Sequence, residues 1–488
     1  MNKVTVIGGG ISGLSAASYL SKYGFNVKLL EKNEYFGGRI RKHKEEGFTF
    51  DMGPSWYWMP EIFDKFYKDF NSKTSDFYEL NRLNPSYKVF WEDNTSSDIP
   101  ADYNELKKLF ESIEKGSSEH LDKYLSDAKI KYEVGMGEFV MKPSLSAFEY
   151  LEIDLLKNSL KLDLLKSISS SIKSKFKNKK LQQLLEFPVL FLGAKPSDTP
   201  SLYSMMNYAD IKLGTWYPVG GMYKIAEAFK SIALKNNVEL ISSSEVVDVK
   251  TEDGKIKFVN TKQMSYETDI VVNASDYHHF DKNILNSDHS SYSKKYWQNR
   301  TFAPTCVLFY LGINKNIPEL EHHNLFFDTD FEKHSEAIYK TNSWPQEPLF
   351  YVSLTSKTEN TAPQGMENMF ILVPLSTNVE TNDEEINRIF KYTIKKIEKR
   401  TKTEIKDSIV YKKTFTREDF ISDYNSYKGN AYGLANTLFQ TGFLKPRMKS
   451  KKINNLYNCG QLTVPGPGLP PSILSGKIVA DLIKKEYK

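Results

Sequence analysis

Val4-Thr5-Val6-Ile7-Gly8-Gly9-Gly10-Ile11-Ser12-Gly13 opens the chain with a β-branched run that breaks into the pattern G-x-G-x-x-G. A short β-branched run with no polar alternation suits a strand buried on both faces. Beyond the glycines, Leu14, Ala17, Tyr19 and Leu20 share one side of a helix that ends at Gly24, and Val27-Lys28-Leu29-Leu30 reads as a second strand ending in Glu31. The result is a complete βαβ unit in which each glycine has a task. Gly8 permits the tight turn, Gly10 lets a pyrophosphate approach the backbone, and Gly13 lets helix and strand pack closely. Ile11 and Ser12 then begin a helix whose N-terminus faces the phosphates. Glu31, 23 positions after Gly8, stands where a carboxylate accepts hydrogen bonds from both ribose hydroxyls. Its charge repels a 2′-phosphate, which disfavours NADP.

The next residues, Glu31-Lys32-Asn33-Glu34-Tyr35-Phe36-Gly37-Gly38-Arg39, separate a nicotinamide from a flavin dinucleotide. A second glycine pair and an arginine just past the ribose acid let an extended FAD continue beyond the first pyrophosphate contact. Gly38 leaves room for it, and Lys32 and Arg39 supply cationic donors, planar in the case of Arg39. Phe48-Thr49-Phe50-Asp51-Met52-Gly53-Pro54-Ser55 follows as a strand running into a tight turn.

Composition sets the limits around this unit. With 488 residues, 40% of them hydrophobic, the chain is long enough for two domains. The net charge of +5 is too small for this length to imply a nucleic-acid partner. Cys306 and Cys459 are the two cysteines, which excludes a disulfide scaffold and a Cys-based metal site and fits a reducing cytoplasm. The start of the chain carries no apolar signal region. A mean hydropathy of −0.49, with no run of about 18 apolar residues, argues against a membrane span. Aromatics are abundant, with 30 Phe and 29 Tyr, and this suggests an apolar ligand or a heavily aromatic core.

Trp56, Tyr57 and Trp58 come directly after the Gly-Pro-Ser turn and either line a substrate channel or pack in the core; Phe63, Phe66, Tyr67 and Phe70 repeat at helical spacing as packing. Residues 157–180 hold eight lysines and one acid, Asp163, with Leu165, Ile168, Ile172 and Phe176 spaced three, four and four. Such a basic amphipathic helix lies in a lipid headgroup layer, each lysine worth roughly 1 kcal/mol on an anionic surface; the alternatives are a solvated basic face or a loop. Phe187-Pro188-Val189-Leu190-Phe191-Leu192 is a channel mouth or core. The pairs His278-His279 and His322-His323 have no chelating spacing and read as surface or loop histidines. No metal site and no nucleophile-base motif is predicted, and no catalytic residue is assigned.

The nucleotide-binding pattern resumes at Trp216-Tyr217-Pro218-Val219-Gly220-Gly221-Met222, continues through a helix and the strand Val246-Val247-Asp248-Val249, and includes a hairpin turn at Asp253-Gly254. Near the C-terminus, Asn458-Cys459-Gly460-Gln461-Leu462-Thr463-Val464-Pro465-Gly466-Pro467-Gly468-Leu469 makes a stiff Gly/Pro loop before a helix over 472–482. The amides at that helix start are placed to stabilise negative charge on a reduced flavin.

These motifs resemble the FAD-dependent amine oxidase and phytoene desaturase superfamily, and the C-terminal loop resembles the bacterial-type phytoene desaturase and carotenoid oxidoreductase signature. Gln461-Leu462-Thr463-Val464 departs from the small residues and His that many members carry there. The resemblance implies an α/β architecture: a discontinuous Rossmann-like FAD-binding domain (1–75, 215–295, 441–488) and an interleaved α+β substrate domain (76–214, 296–440), with membrane-associating helices near 150–190. It further implies that Gly53, Pro54 and Ser55 lie near the flavin ring, that Val246 meets the adenine through its backbone, and that Gly460, Gln461, Gly468 and Leu469 contact the flavin. The implied activity is desaturation of a hydrophobic polyene, phytoene stepwise toward lycopene, with quinone or oxygen as electron acceptor, on the cytoplasmic face of the membrane. Alternatives are a later-pathway carotenoid 3,4-desaturase, a redox-neutral carotene isomerase and a non-catalytic carotenoid carrier. No oligomeric state is implied.

Overall fold

A computed structural model describes residues 1–150, 166–329 and 331–488. The glycine-rich unit folds as read: β1 (Lys3–Ile7), α1 (Ile11–Lys22) and β2 (Asn26–Leu30). These two strands lie inside a five-stranded parallel sheet ordered Leu456–Asn458, Ile270–Asn273, β1, β2, Glu239–Ile241. The sheet assembles around β1, whose Val4 and Val6 are wholly buried, as expected of a strand covered on both faces. Gly13 is needed for packing, since a Cβ there would stand 1.9 Å from the Gly8 carbonyl oxygen. Across α1 lies the C-terminal helix Leu469–Tyr487, and Gly476 sits at the crossing, where a Cβ would come within 2.5 Å of the Ser12 carbonyl oxygen. Val246–Glu252 and Lys255–Thr261 form the expected hairpin, with Asp253 and Gly254 both at positive φ in its turn.

A seven-stranded mixed sheet draws its strands from residues 87–415, in the order Ile409–Phe415, Thr305–Ile313, Glu367–Leu375, Phe350–Ser353, His323–Phe327, Tyr87–Trp91, Ser96–Ile99. Side chains alternate across it. Val307, Phe309, Leu311, Ile371 and Val373 face the helix Asp383–Thr401 and pack on Ile389 and Ile397. Each such fully buried aliphatic side chain contributes about 1.5–3 kcal/mol relative to exposure. Cys306, Leu308, Tyr310, Phe370 and Leu372 point the opposite way, toward the interior cavity described below.

Several sequence expectations are corrected. The basic stretch is not one helix: its described part forms Ile168–Lys173, capped by Ser167, and Lys179–Glu186, capped by Asn178. Ile168, Ile172 and Phe176 face the core, not lipid, with the Phe176 ring edge-on to Phe110 and Tyr124. Lys175, Lys179 and Lys180 pair with Asp127, Glu92 and Asp93. Leu165 and the two lysines before it lie outside the described residues. His322 and His323 are buried, not surface, because the first bonds Thr358 and the second stacks on Trp56. Phe187 and Val189 are core, with Phe187 packed against Tyr87 and Trp56. Among the described residues no helix is long and apolar enough to cross a membrane, and no group of three or more His, Cys, Asp or Glu stands ready to hold a metal.

Candidate functional site

One cavity of about 830 Å³ runs through the interior, and its wall gathers nearly every residue singled out from the sequence. Gly8, Gly10, Ile11, Ser12, Glu31, Lys32 and Val246 form one stretch of it, Gly38, Arg39, Gly53, Pro54 and Ser55 another, and Gly460, Gln461, Gly468 and Leu469 a third. Gly13 is off the wall, in the packing role just described. Trp56 and Trp58 line the cavity, whereas Tyr57 does not. Its ring turns inward to stack on Phe63 at 4.3 Å, and its hydroxyl joins those of Tyr78 and Tyr67. Adjacent residues of an extended segment point to opposite sides, so the odd member of the Trp-Tyr-Trp run is core.

The polar part of the wall has the chemistry of a dinucleotide cradle. A Cβ on Gly10 would meet nothing nearer than the Gly38 Cα at 3.9 Å, so this stretch of wall is bare backbone. Glu31 is held by two backbone donors, Gly9 N–H to Oε2 at 2.6 Å and Asn33 N–H to Oε1 at 2.8 Å. Burial pushes its carboxyl above the usual range, and each oxygen keeps a lone pair for a further donor. Arg39 is half-buried: its Nη2 donates to Ser426 Oγ and the Asn430 carbonyl, both at 3.3 Å, while its Nε is buried with no partner recorded among the described residues. A guanidinium with a vacant N–H suits a phosphate or a flavin oxygen.

Asp51 explains the acid of the acid-x-Gly-Pro-Ser turn. It accepts the Tyr217 hydroxyl at 2.5 Å and the Met222 N–H at 3.1 Å, tying the Gly220-Gly221 turn to the strand that leads into Gly53. Burial lifts its carboxyl to about 6. Gly53 passes so close to Arg39 that a Cβ would sit 1.9 Å from the Arg39 carbonyl oxygen, so the two motifs are one structural unit. At the C-terminal loop the expected row of amides is shorter than the sequence implied. Pro470 and Pro471 carry no N–H and Ser472 N–H closes on Gly468, which leaves Leu469 as the first-turn donor.

The apolar part of the wall comes from places that sequence reasoning missed, and Glu245, Asp276, His279 and Asp423 line the cavity as well. Met136, Phe139, Leu202 and Met206 form one side, and Leu308, Tyr351 and Phe370 the floor. Phe439, Phe443 and Leu444 line the cavity and are also exposed, 77% in the case of Phe439, so they mark its mouth. The apolar Leu-Phe and Phe-Leu pairs inside a polar loop at 438–444 were the available signal. Cys459 is buried with its thiol pushed up to about 12, a strand-core cysteine.

The family of flavin containing amine oxidoreductases matches residues 11–484. This chain belongs to that family. It is similar to the carotenoid 3,4-desaturase of Haloarcula japonica, 36% identical over 98% of this chain and 97% of that protein. It is 32% identical to the 1-hydroxycarotenoid 3,4-desaturase of a Flavobacterium species, over 99% of each chain. Among solved structures, an oxidoreductase from Methanosarcina mazei shares the fold, with a TM-score of 0.62 over 98% of this chain and all of that one at 16% identity. The chain is therefore an oxidoreductase whose cofactor is FAD.

Proposed function

We propose that the chain is an FAD-dependent carotenoid desaturase, and that it introduces a 3,4-type double bond at the end of an already conjugated polyene. The observation that carries this reading is the continuity of the cavity, which passes from a bare glycine cradle and the Arg39 guanidinium into a wall of Trp, Phe, Met and Leu. The two relatives named above carry 3,4-desaturase names, which favours that step over the phytoene-to-lycopene conversion the sequence motifs suggested.

In this reading Gly8, Gly10, Ile11, Ser12, Glu31, Lys32, Gly38, Arg39 and Val246 hold the dinucleotide, and Gly53 to Ser55 with Gly460, Gln461, Gly468 and Leu469 surround the flavin ring. Bound there, FAD supplies an acceptor for the hydride that leaves an allylic carbon. The chain supplies alignment and dryness: the aromatic wall fixes a long hydrocarbon by shape, and its exclusion of water keeps the reacting carbons next to the cofactor alone.

The exposed mouth residues Phe439, Phe443 and Leu444, with Phe148 exposed as well, are the surface we assign to peripheral contact with the cytoplasmic face of the membrane, where a lipid-dissolved polyene and a quinone acceptor are both found. The test is incubation of FAD-loaded protein with lycopene, a 1-hydroxycarotenoid or phytoene in liposomes with a quinone. A red-shifted product from the conjugated substrates supports 3,4-desaturation, and coloured product from phytoene alone transfers the assignment to phytoene desaturation. No net oxidation of any of them rejects a desaturase.

A further inference from the structure

Desaturation removes a hydride from one carbon and a proton from its neighbour. FAD accounts for the hydride, and a second group must take the proton. The structure brings a buried base up to the apolar part of the wall. His323 pairs with Ser353 across two antiparallel strands, which puts Tyr351 diagonally beside it on the same face. The Tyr351 Oη lies 2.6 Å from His323 Nδ1 and donates to Ser55 Oγ at 3.0 Å. Tyr351 and Ser55 both line the cavity, Ser55 from the turn assigned to the flavin ring. The His323 ring is fully buried and lies flat on Trp56, 4.1 Å away and tilted by 12°, with no partner recorded for Nε2 among the described residues.

We infer that Tyr351 is the catalytic residue that receives the proton of the desaturation step, with His323 behind it as the positioning residue that stores that proton. The inference rests on the desaturase reading above. The phenol proton has two settings: on Ser55, with Nδ1–H of His323 donating to the phenol oxygen, or on Nδ1, with the ring proton on Nε2. In the second setting the phenol oxygen takes the proton from carbon as its own proton passes to Nδ1. The electron pair of that C–H bond stays behind as the new C=C bond, the hydride of the adjacent carbon leaves with its pair to FAD, and His323 becomes an imidazolium over the Trp56 face. The stored proton returns to solvent after product leaves.

Burial, and the edge-on His322 ring 4.4 Å away, hold the His323 imidazole well below its usual range, so it rests neutral and ready to accept. A weak base is enough, because a C–H beside a developing allylic cation is far more acidic than that of an alkane.

The test compares wild type with Tyr351→Phe and His323→Gln, all FAD-loaded and full length, on whichever polyene the wild type desaturates. Tyr351→Phe is expected to keep the yellow flavin spectrum and a KM within about threefold while kcat falls about 100- to 10,000-fold. Deuterium at the carbon that loses the proton should slow this variant more than wild type. His323→Gln, which still bonds the phenol and cannot store a proton, should lose kcat with KM kept. Tyr351→Phe turning over within threefold of wild type, or coming out colourless, overturns the inference even if His323→Gln fails to fold. Wild type that desaturates no polyene sinks the desaturase reading itself; wild type active alongside an equally active Tyr351→Phe sinks this inference alone.

Discussion

Gly10 and Gly38 face each other across the cradle, so closely that a Cβ on Gly38 would stand 3.0 Å from the Gly10 Cα. Gly9 and Gly37 join the same two loops through the Gly37 N–H, which donates to the Gly9 carbonyl at 2.8 Å. Two glycine motifs 28 positions apart thus form the two lips of one slot.

Gly10→Val is the direct test of that slot. Gly10 has ordinary negative φ (−71°), so valine strains nothing in the backbone, and its branched side chain fills the space we assign to the pyrophosphate. The expected protein is folded, with unchanged circular dichroism, and colourless. A yellow variant with full flavin occupancy would refute the assignment.

Glu31→Gln removes the charge but keeps an acceptor for the Gly9 N–H. Hydrogen bonds to a charged group are worth about 1.5–3 kcal/mol, so losing that assistance at the ribose predicts FAD binding weaker by about 10- to 100-fold. Calorimetric titration of apoprotein with FAD reads this directly, and unchanged affinity would place the ribose elsewhere.

Phe439→Ser with Phe443→Ser tests the mouth. Each buried Phe is worth about 1.5–3 kcal/mol, so together they predict at least a hundredfold loss in liposome partitioning. On detergent-dispersed substrate kcat should stay near wild type, because neither change touches the cradle, while KM rises, because both residues also line the cavity mouth. Liposome sedimentation that persists would move the contact to another face.

Which parts of this were readable follows from how far apart the cooperating residues lie. The unit β1–α1–β2, the Asp253-Gly254 turn and the glycine pairs are local, so spacing alone specified them. The cavity floor was not readable: Leu308, Phe370 and Tyr351 each sit in an alternating strand, yet only the long-range pairing of Thr305–Ile313, Glu367–Leu375 and Phe350–Ser353 puts them on one face. The described part of the 157–180 stretch, from 166 onward, departs from its reading for a different reason. Spacings of three and four give an apolar helical side but not what covers it, and here Phe110 and Tyr124 do so instead of lipid. His323 was misread because an adjacent His pair carries no signal of the Trp56 ring that stacks on it from 267 positions away.

Lys445 gives the last prediction, a pH dependence of stability. Its ammonium is enclosed beside Gly466, donates to Asn436 Oδ1 at 2.8 Å, and is pushed by burial from 10.5 down to about 7, with no neighbouring charge contributing. The unfolded chain holds that proton up to about 10.5, whereas the folded protein releases it above about 7. Between those values unfolding takes up a proton, so raising the pH stabilises the folded state, by at most about 1.4 kcal/mol per pH unit from this group. The cost of the buried amine is complete below about pH 7 and absent above about 10.5. Lys445→Met removes it, so the variant should gain most over wild type in denaturant midpoint at pH 6.5, and the gap should close steadily toward pH 10. A gap that stays constant with pH would show that the amine keeps its proton in the fold, paired with an acceptor other than Asn436.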